Sequence, residues 1–223
     1  MEKYYIKYVR PGLVDKGYKY GSYIDYAVNE AKLCMEAGKY VNAPKIYKYY
    51  GYIDEEPNNV KMSSLYRRHD DDDYNDAIKE SIMYYGVDFR DECIIMENLH
   101  DCVKLDVYIK ELSNKSIDDY KLLKEVYELQ NKVKNEFRKL HNVNIIHGDV
   151  NLGNILYNKI TDKIYIIDYE SSKLNIDDND RKEAELLHIE YYVLQCIVKL
   201  LSSDNIIKDI KERVKYLNDI VWY

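Results

Sequence analysis

The chain has 223 residues, 33 Lys+Arg against 40 Asp+Glu, and a formal net charge of −7. That length fits one domain or two closely packed lobes and buries enough surface for a core without staples. The acidic balance argues against nucleic acid as a general electrostatic partner. Four cysteines (Cys34, Cys93, Cys102, Cys196) lie far apart with no C-x-x-C pair. They carry no zinc signature and no dense disulfide framework, so the expectation is buried thiols in a reducing compartment.

The segment Met1–Arg10 has no apolar stretch of signal-peptide length. The most apolar run, Leu186–Leu201, is broken by His188, Glu190, Gln195 and Lys199, and it is shorter than the roughly 20 residues a spanning helix needs. The expectation is a soluble cytoplasmic protein without membrane contact. Tyrosine is abundant (26 against 2 Phe and 1 Trp). With Asn, Lys and Ile it draws on A/T-rich codons, so these rings read as core aromatics with wet hydroxyls and no collective function.

In chain order, Tyr4–Val9 is a β-rich run with Lys7 at its centre, ended by Pro11 and Gly12. Gly12, Gly17 and Gly21 then mark a loop. A helix is expected over Ile24–Gly38, with Ala27, Ala31, Cys34 and Met35 on one face and Gly38 as its stop. Ile46–Ile53 follows as a strand. Residues 54–76 are polar, carry the aspartates Asp70–Asp73, and read as an acidic solvated insertion. Glu92–Met96 has a buried-strand pattern and precedes a loop over Glu97–Asp101.

Asp118 opens a long helix to about His141, since Leu122, Val126, Leu129, Val133, Phe137 and Leu140 recur at steps of three and four. Asn144–Tyr157 and Lys163–Tyr169 read as strand, polar loop, strand, turn, strand, the last strand ending at Asp168. A nearly all-apolar helix at about 182–201 and an amphipathic one near 205–221 complete the chain. The strand-rich part is assigned to residues 1–96 and the helix-rich part to 97–223.

In IIHGDVNLGNILYN, His147, Gly148 and Asp149 enter a polar turn, Asn154 follows, and Asp168 ends the next strand pair. Two carboxylates and a carboxamide make a hard-oxygen set suited to Mg²⁺ and phosphate oxygens. The pattern H-G-D-x4-N followed by I-D-Y resembles the catalytic loop and metal motif of the protein-kinase-like superfamily. His-Gly-Asp and Asp168-Tyr169-Glu170 are similar to the aminoglycoside and choline phosphotransferases. The resemblance implies an α+β, two-lobed kinase-like fold with a reduced N-lobe and a short helical C-lobe. It implies ATP and Mg²⁺ as cofactors, Asp149 as catalytic base, and Asn154 and Asp168 as metal ligands. His147 is read as a brace of the loop.

By the same resemblance Lys7 is the strand lysine of the α/β-phosphates and Glu30 its helix partner, with Lys19 as a fallback. IKYVRP, then NEAKLCMEAGKYVNAPKIY, and the strand end Met96-Glu97 look like the small atypical kinase subunit of the KEOPS tRNA-modification complex. The backbone from Glu97 to Leu99 would then meet the adenine edge, and a partner protein enters the list of expectations.

Four departures stand out. Only six residues precede Lys7, and the glycines follow it, so the Gly-rich phosphate lid is absent from the pattern. Glu170 replaces the usual Gly, Asn151 replaces the lysine of Ser/Thr kinases, and 53 residues after Glu170 leave no room for a peptide-docking subdomain. The leading expectation is an atypical serine/threonine kinase passing the ATP γ-phosphate to a hydroxyl. A small-molecule kinase, a non-catalytic kinase-like binding module and a partner-assisting ATPase are the alternatives.

Overall fold

The structure is a computed structural model, and it describes residues 4–8, 26–50, 93–115 and 118–221. The glycine-bearing stretch after β1 and the acidic insertion at 54–76 lie outside the described residues. The chain forms two compact units, one of Met1–Lys32 and Lys45–Asn98, the other of Leu33–Pro44 and Leu99–Tyr223.

In the first unit, β1 (Tyr4–Tyr8), β2 (Ile46–Tyr50) and β3 (Cys93–Glu97) make an antiparallel sheet of order β1-β3-β2. Helix α1 (Tyr26–Ala37) begins in this unit. Register explains what the sheet presents to it: Lys7 lies opposite Ile94, and Tyr5 opposite Met96. Directly opposed residues share a face. Ile94 and Met96 are buried with Ala31 of α1, with Ile46 and Tyr49 packed alongside. Lys7 therefore projects on the helix-facing side of the sheet. A register irregularity between Ile46 and Lys48 interrupts the β2 pairing.

In the second unit, β4 (Cys102–Lys104), β5 (Ile155–Asn158) and β6 (Lys163–Ile166) form an antiparallel sheet of order β4-β5-β6. Its helices are α2 (Leu105–Ser113), α3 (Asp119–His141), α4 (Asn179–Ile197) and α5 (Asp204–Val221). The stripe expected on α3 is buried at all six positions, Leu122 to Leu140. Asp118 caps that helix, its carboxylate accepting from the Lys121 amide at 3.0 Å. This satisfies one of the donors a helix start leaves open. Asp178 caps α4 in the same way through the Arg181 amide, also at 3.0 Å. Helix α4 packs against both α3 and α5, and Glu190 at that junction takes Lys134 at 2.8 Å and Arg213 at 2.7 Å.

Leu33–Pro44 belongs to this unit and is pinned to β6. Asn42 donates through Nδ2 to the Ile164 carbonyl, and its own carbonyl accepts from the Ile166 amide, both at 3.0 Å. The chain just before Asp168 is thereby held at a fixed place.

Several expectations need correction. The strand expected to lead into His147 is a single bridge between Ile146 and Lys173; two apolar residues, Ile145 and Ile146, are too few to extend a ladder. The strand expected to reach Asp168 stops at Ile166, because Asp168 takes φ +67°, which ends extended pairing. The loop placed over Glu97–Asp101 starts one residue late, since β3 includes Glu97. Helix α2 was not anticipated, although its buried Leu105, Ile109 and Leu112 recur at helical steps. Cys34 is buried, but Cys102 and Cys196 are only half-buried. Tyr169 is fully buried, and among the described residues its hydroxyl has no hydrogen-bond partner, unlike the wet hydroxyls expected of the tyrosines.

Candidate active site

Gly148 carries the turn between His147 and Asp149. Its φ is +83°, and a Cβ there would sit 2.3 Å from the Ser171 carbonyl oxygen. Only glycine meets both demands without strain. The segment after Asp168 thus lies directly on the turn. Ser172 reinforces the contact by donating from its hydroxyl to the His147 carbonyl at 2.8 Å, and the Ile146–Lys173 bridge closes it.

His147 is fully buried and braces the turn at both ring nitrogens. Nε2 meets the Ile167 carbonyl at 3.0 Å, so it bears the proton. Nδ1 accepts from the Asp149 amide at 3.3 Å. Its ring packs between Phe137 of α3 and Tyr169.

Asp149 is exposed, with its carboxylate held from one side. Asn154 Nδ2 donates to Oδ2 at 2.8 Å and also reaches the Asp149 carbonyl at 3.1 Å. Asn151 Nδ2 donates to Oδ1 at 3.2 Å. Asn151, the departure from the lysine of Ser/Thr kinases, has a second task here. Its side-chain oxygen accepts from the amides of Gly153 and Asn154 at 2.8 and 3.1 Å, capping the single 3-10 turn Leu152–Asn154. With Nδ2 of Asn154 committed to Asp149, its Oδ1 is directed the other way.

The Asn154 carbonyl accepts from the Ile167 amide at 3.0 Å, which places Asp168 beside Asn154. Asp168 and Glu170 bring carboxylate oxygens within 4.8 Å of each other. Carboxylate and carboxamide oxygens in this setting fit a small hard cation.

The structure also shows a positioning group that the sequence did not single out. Glu185 on α4 is buried; its Oε1 accepts from the Gly148 amide at 2.7 Å and its Oε2 meets His141 Nε2 at 2.7 Å. The carboxylate ties the His147–Asp149 turn to the last turn of α3. Its signal was present: Glu185, Ile189 and Val193 recur every fourth residue, and a carboxylate among core positions needs a partner.

In the first unit, Lys7 Nζ donates to both carboxylate oxygens of Glu30 at 2.8 and 2.9 Å. Glu30 is 3% exposed and Lys7 23%. Glu97, also in this unit, exchanges bonds with Lys45: its amide donates to the Lys45 carbonyl at 2.8 Å and its carboxylate accepts from the Lys45 amide at 3.2 Å. The Leu99 carbonyl, in the second unit, accepts from the Cys102 amide at 2.9 Å.

Residues 81–211 match the model of the lipopolysaccharide kinase (Kdo/WaaP) family. The match covers more than half of the chain and includes the whole His147–Asp168 constellation, and the chain belongs to that family. It is thus a member of the protein-kinase-like superfamily; nothing in the match bears on the KEOPS subgroup. Among solved structures, the Cydia pomonella granulovirus kinase PK-1 is similar over 94% of this chain at 13% identity, with a TM-score of 0.49. The chain spans 66% of that kinase's length. No curated protein matches. Among the described residues, no helix is long and apolar enough to cross a membrane.

Proposed function

We propose that this protein transfers the γ-phosphate of ATP to an acceptor hydroxyl, with Mg²⁺ as its metal. The observation that carries the reading is the Asp149 carboxylate, exposed and oriented by Asn154 at 2.8 Å in a turn that belongs to a kinase family. Asp149 accepts the proton of the acceptor hydroxyl as its oxygen bonds to the γ-phosphorus. The bond from that phosphorus to the bridging oxygen breaks, and ADP leaves. An oriented base of this kind contributes about 10²–10⁴ in rate.

Asn154 and Asp168 would hold the Mg²⁺, with Glu170 as an added carboxylate, and charge neutralisation on the phosphates is the chemistry a metal would supply there. Lys7, paired with Glu30, serves the α/β-phosphates, and the backbone at Glu97 and Leu99 serves the adenine edge. Glu185 and His147 touch no reactant; they set where Asp149 stands.

The family favours a glycan hydroxyl, as in a lipopolysaccharide, for the acceptor. The second reading is a protein serine or threonine, favoured by the likeness of NEAKLCMEAGKYVNAPKIY to an atypical protein kinase; a protein partner belongs to that reading. Incubation with [γ-³²P]ATP and Mg²⁺, offering lipopolysaccharide in one arm and casein in the other, tests both. Label in the glycan supports the first and label in casein the second. Absence of label and of free phosphate, from folded protein, refutes both in favour of a binding module.

A further inference from the structure

Two side-chain amides reach the Asp149 carboxylate, one at each oxygen. Asn154 Nδ2 donates to Oδ2 at 2.8 Å and Asn151 Nδ2 to Oδ1 at 3.2 Å. Asp149 is exposed, and a carboxylate held at one oxygen alone can still swing about that bond. The second strut removes the swing. Two of the roughly four lone-pair positions of the carboxylate are then filled, and the others stay open to an incoming hydroxyl.

The second strut is fixed by its other end. Asn151 is half-buried on extended backbone at φ −148°, and its Oδ1 accepts from the amides of Gly153 and Asn154 at 2.8 and 3.1 Å. Both partners are donors, so the atom facing them must be the oxygen. The carboxamide cannot turn over without setting N–H against N–H, and Nδ2 is left aimed at Asp149.

Gly153 makes room for this arrangement. A Cβ there would meet one atom within 4 Å among the described residues, the Asn151 Oδ1, at 3.0 Å. Its φ is not positive, so the carboxamide, and not the backbone conformation, asks for a residue without a side chain. Asn154 is also assigned to the metal in the reading above; Asn151 is not. Its hold on Asp149 is therefore independent of whether metal is bound.

We propose that Asn151 is a positioning residue for Asp149, locked by Gly153 and the 3-10 turn Leu152–Asn154, and that it sets the carboxylate's orientation before metal and nucleotide arrive. This rests on the reading of Asp149 as the base.

Three variants separate this role from a purely structural cap. Asn151→Ser keeps a capping oxygen but is too short to reach Asp149. Asn151→Asp keeps both the size and the capping oxygen and loses the donor. Gly153→Ala keeps every hydrogen-bonding group and presses on the carboxamide. The acceptor is whichever of lipopolysaccharide and casein takes label from [γ-³²P]ATP. We expect Asn151→Ser and Asn151→Asp to keep the wild-type Tm and an ATP KM within about twofold, and to lower kcat at least about tenfold, because a loosened reacting group forfeits orientation. Gly153→Ala lowers kcat about threefold or more in the wild type and has no further effect in Asn151→Ser, the non-additivity of residues in contact. A kcat for Asn151→Ser within about twofold of the wild type, or additive effects of the two substitutions, overturns the proposal.

A readout independent of turnover uses the protein without metal or nucleotide. In the full chain labelled with ¹⁵N-asparagine, the Asn151 side-chain resonance is the one lost in Asn151→Ser. Exchange of its Nδ2 protons with water quickens about fivefold or more in Asp149→Ala, as for an amide released from a hydrogen bond; an unchanged rate overturns the proposal. An intact bond with no transfer by the wild type refutes Asp149 as the base and leaves the hold of Asn151 on its carboxylate standing. Transfer that is lost in Asp149→Asn yet indifferent to Asn151→Ser refutes the role of Asn151 and leaves the base standing.

Discussion

Replacing Glu185 with alanine removes a carboxylate that joins α3, α4 and the His147–Asp149 turn. Two groups lose their partner at once: the Gly148 amide and His141 Nε2, each now bonded at 2.7 Å. His141 sits where water is scarce, Glu185 and His141 each being 6% exposed, whereas Gly148 is exposed and its amide can turn to water. Leaving one buried polar group unsatisfied costs about 1–3 kcal/mol, so the loss is about 1–3 kcal/mol before any cavity is counted. For a chain of this size each kcal/mol is worth roughly 2–4 °C in Tm, and a mid-range loss of about 2 kcal/mol lowers it by roughly 4–8 °C. Glu185→Gln keeps an oxygen for Gly148 and offers an N–H to the imidazole, and costs less than about 1.5 kcal/mol. Urea unfolding of the three proteins, monitored by circular dichroism, gives the ranking wild type, Gln, Ala. At temperatures where the Ala variant is folded, the transfer proposed for Asp149 falls by roughly 10²-fold, because a catalytic group displaced by about 1 Å loses that much. An alanine variant within about 0.5 kcal/mol of wild type would refute the anchoring role.

Two further predictions follow from buried polar groups. Lys7→Met takes two hydrogen bonds from the nearly buried Glu30 carboxylate and destabilises the protein by about 2–3 kcal/mol; adding Glu30→Gln recovers most of that, and a double-mutant cycle in urea with no coupling would contradict the pairing. Tyr169→Phe deletes a fully buried hydroxyl that has no hydrogen-bond partner among the described residues, and should raise stability by about 1–3 kcal/mol. Thermal melting checks it, and a lower Tm would mean that the hydroxyl is satisfied.

Legibility in the sequence followed locality. The α3 stripe was readable because one face repeats through Leu122, Val126, Leu129, Val133, Phe137 and Leu140, all buried. Its start was readable because an N-cap such as Asp118 acts within three residues. The turn at His147–Asn154 was readable because its chemistry is carried by neighbours in sequence. Glu185 was not. Its partners lie 37 and 44 residues away, so in sequence it is a charge interrupting an apolar helix. The same holds for Gly148, whose demand for glycine comes from the Ser171 carbonyl pressed against it. The short strand expected before His147 failed for the converse reason: two isoleucines carry strand propensity, but a ladder needs more partners than one bridge supplies.

The claim that Asp149 is the base of a phosphotransferase is tested most directly by single-turnover transfer from [γ-³²P]ATP with Mg²⁺, comparing wild type with Asp149→Asn. The substitution keeps the side-chain shape and removes the basic oxygen. The account predicts a rate constant about 10²–10⁴ lower with ATP affinity within about twofold and an unchanged Tm. A rate constant equal to that of the wild type would contradict it.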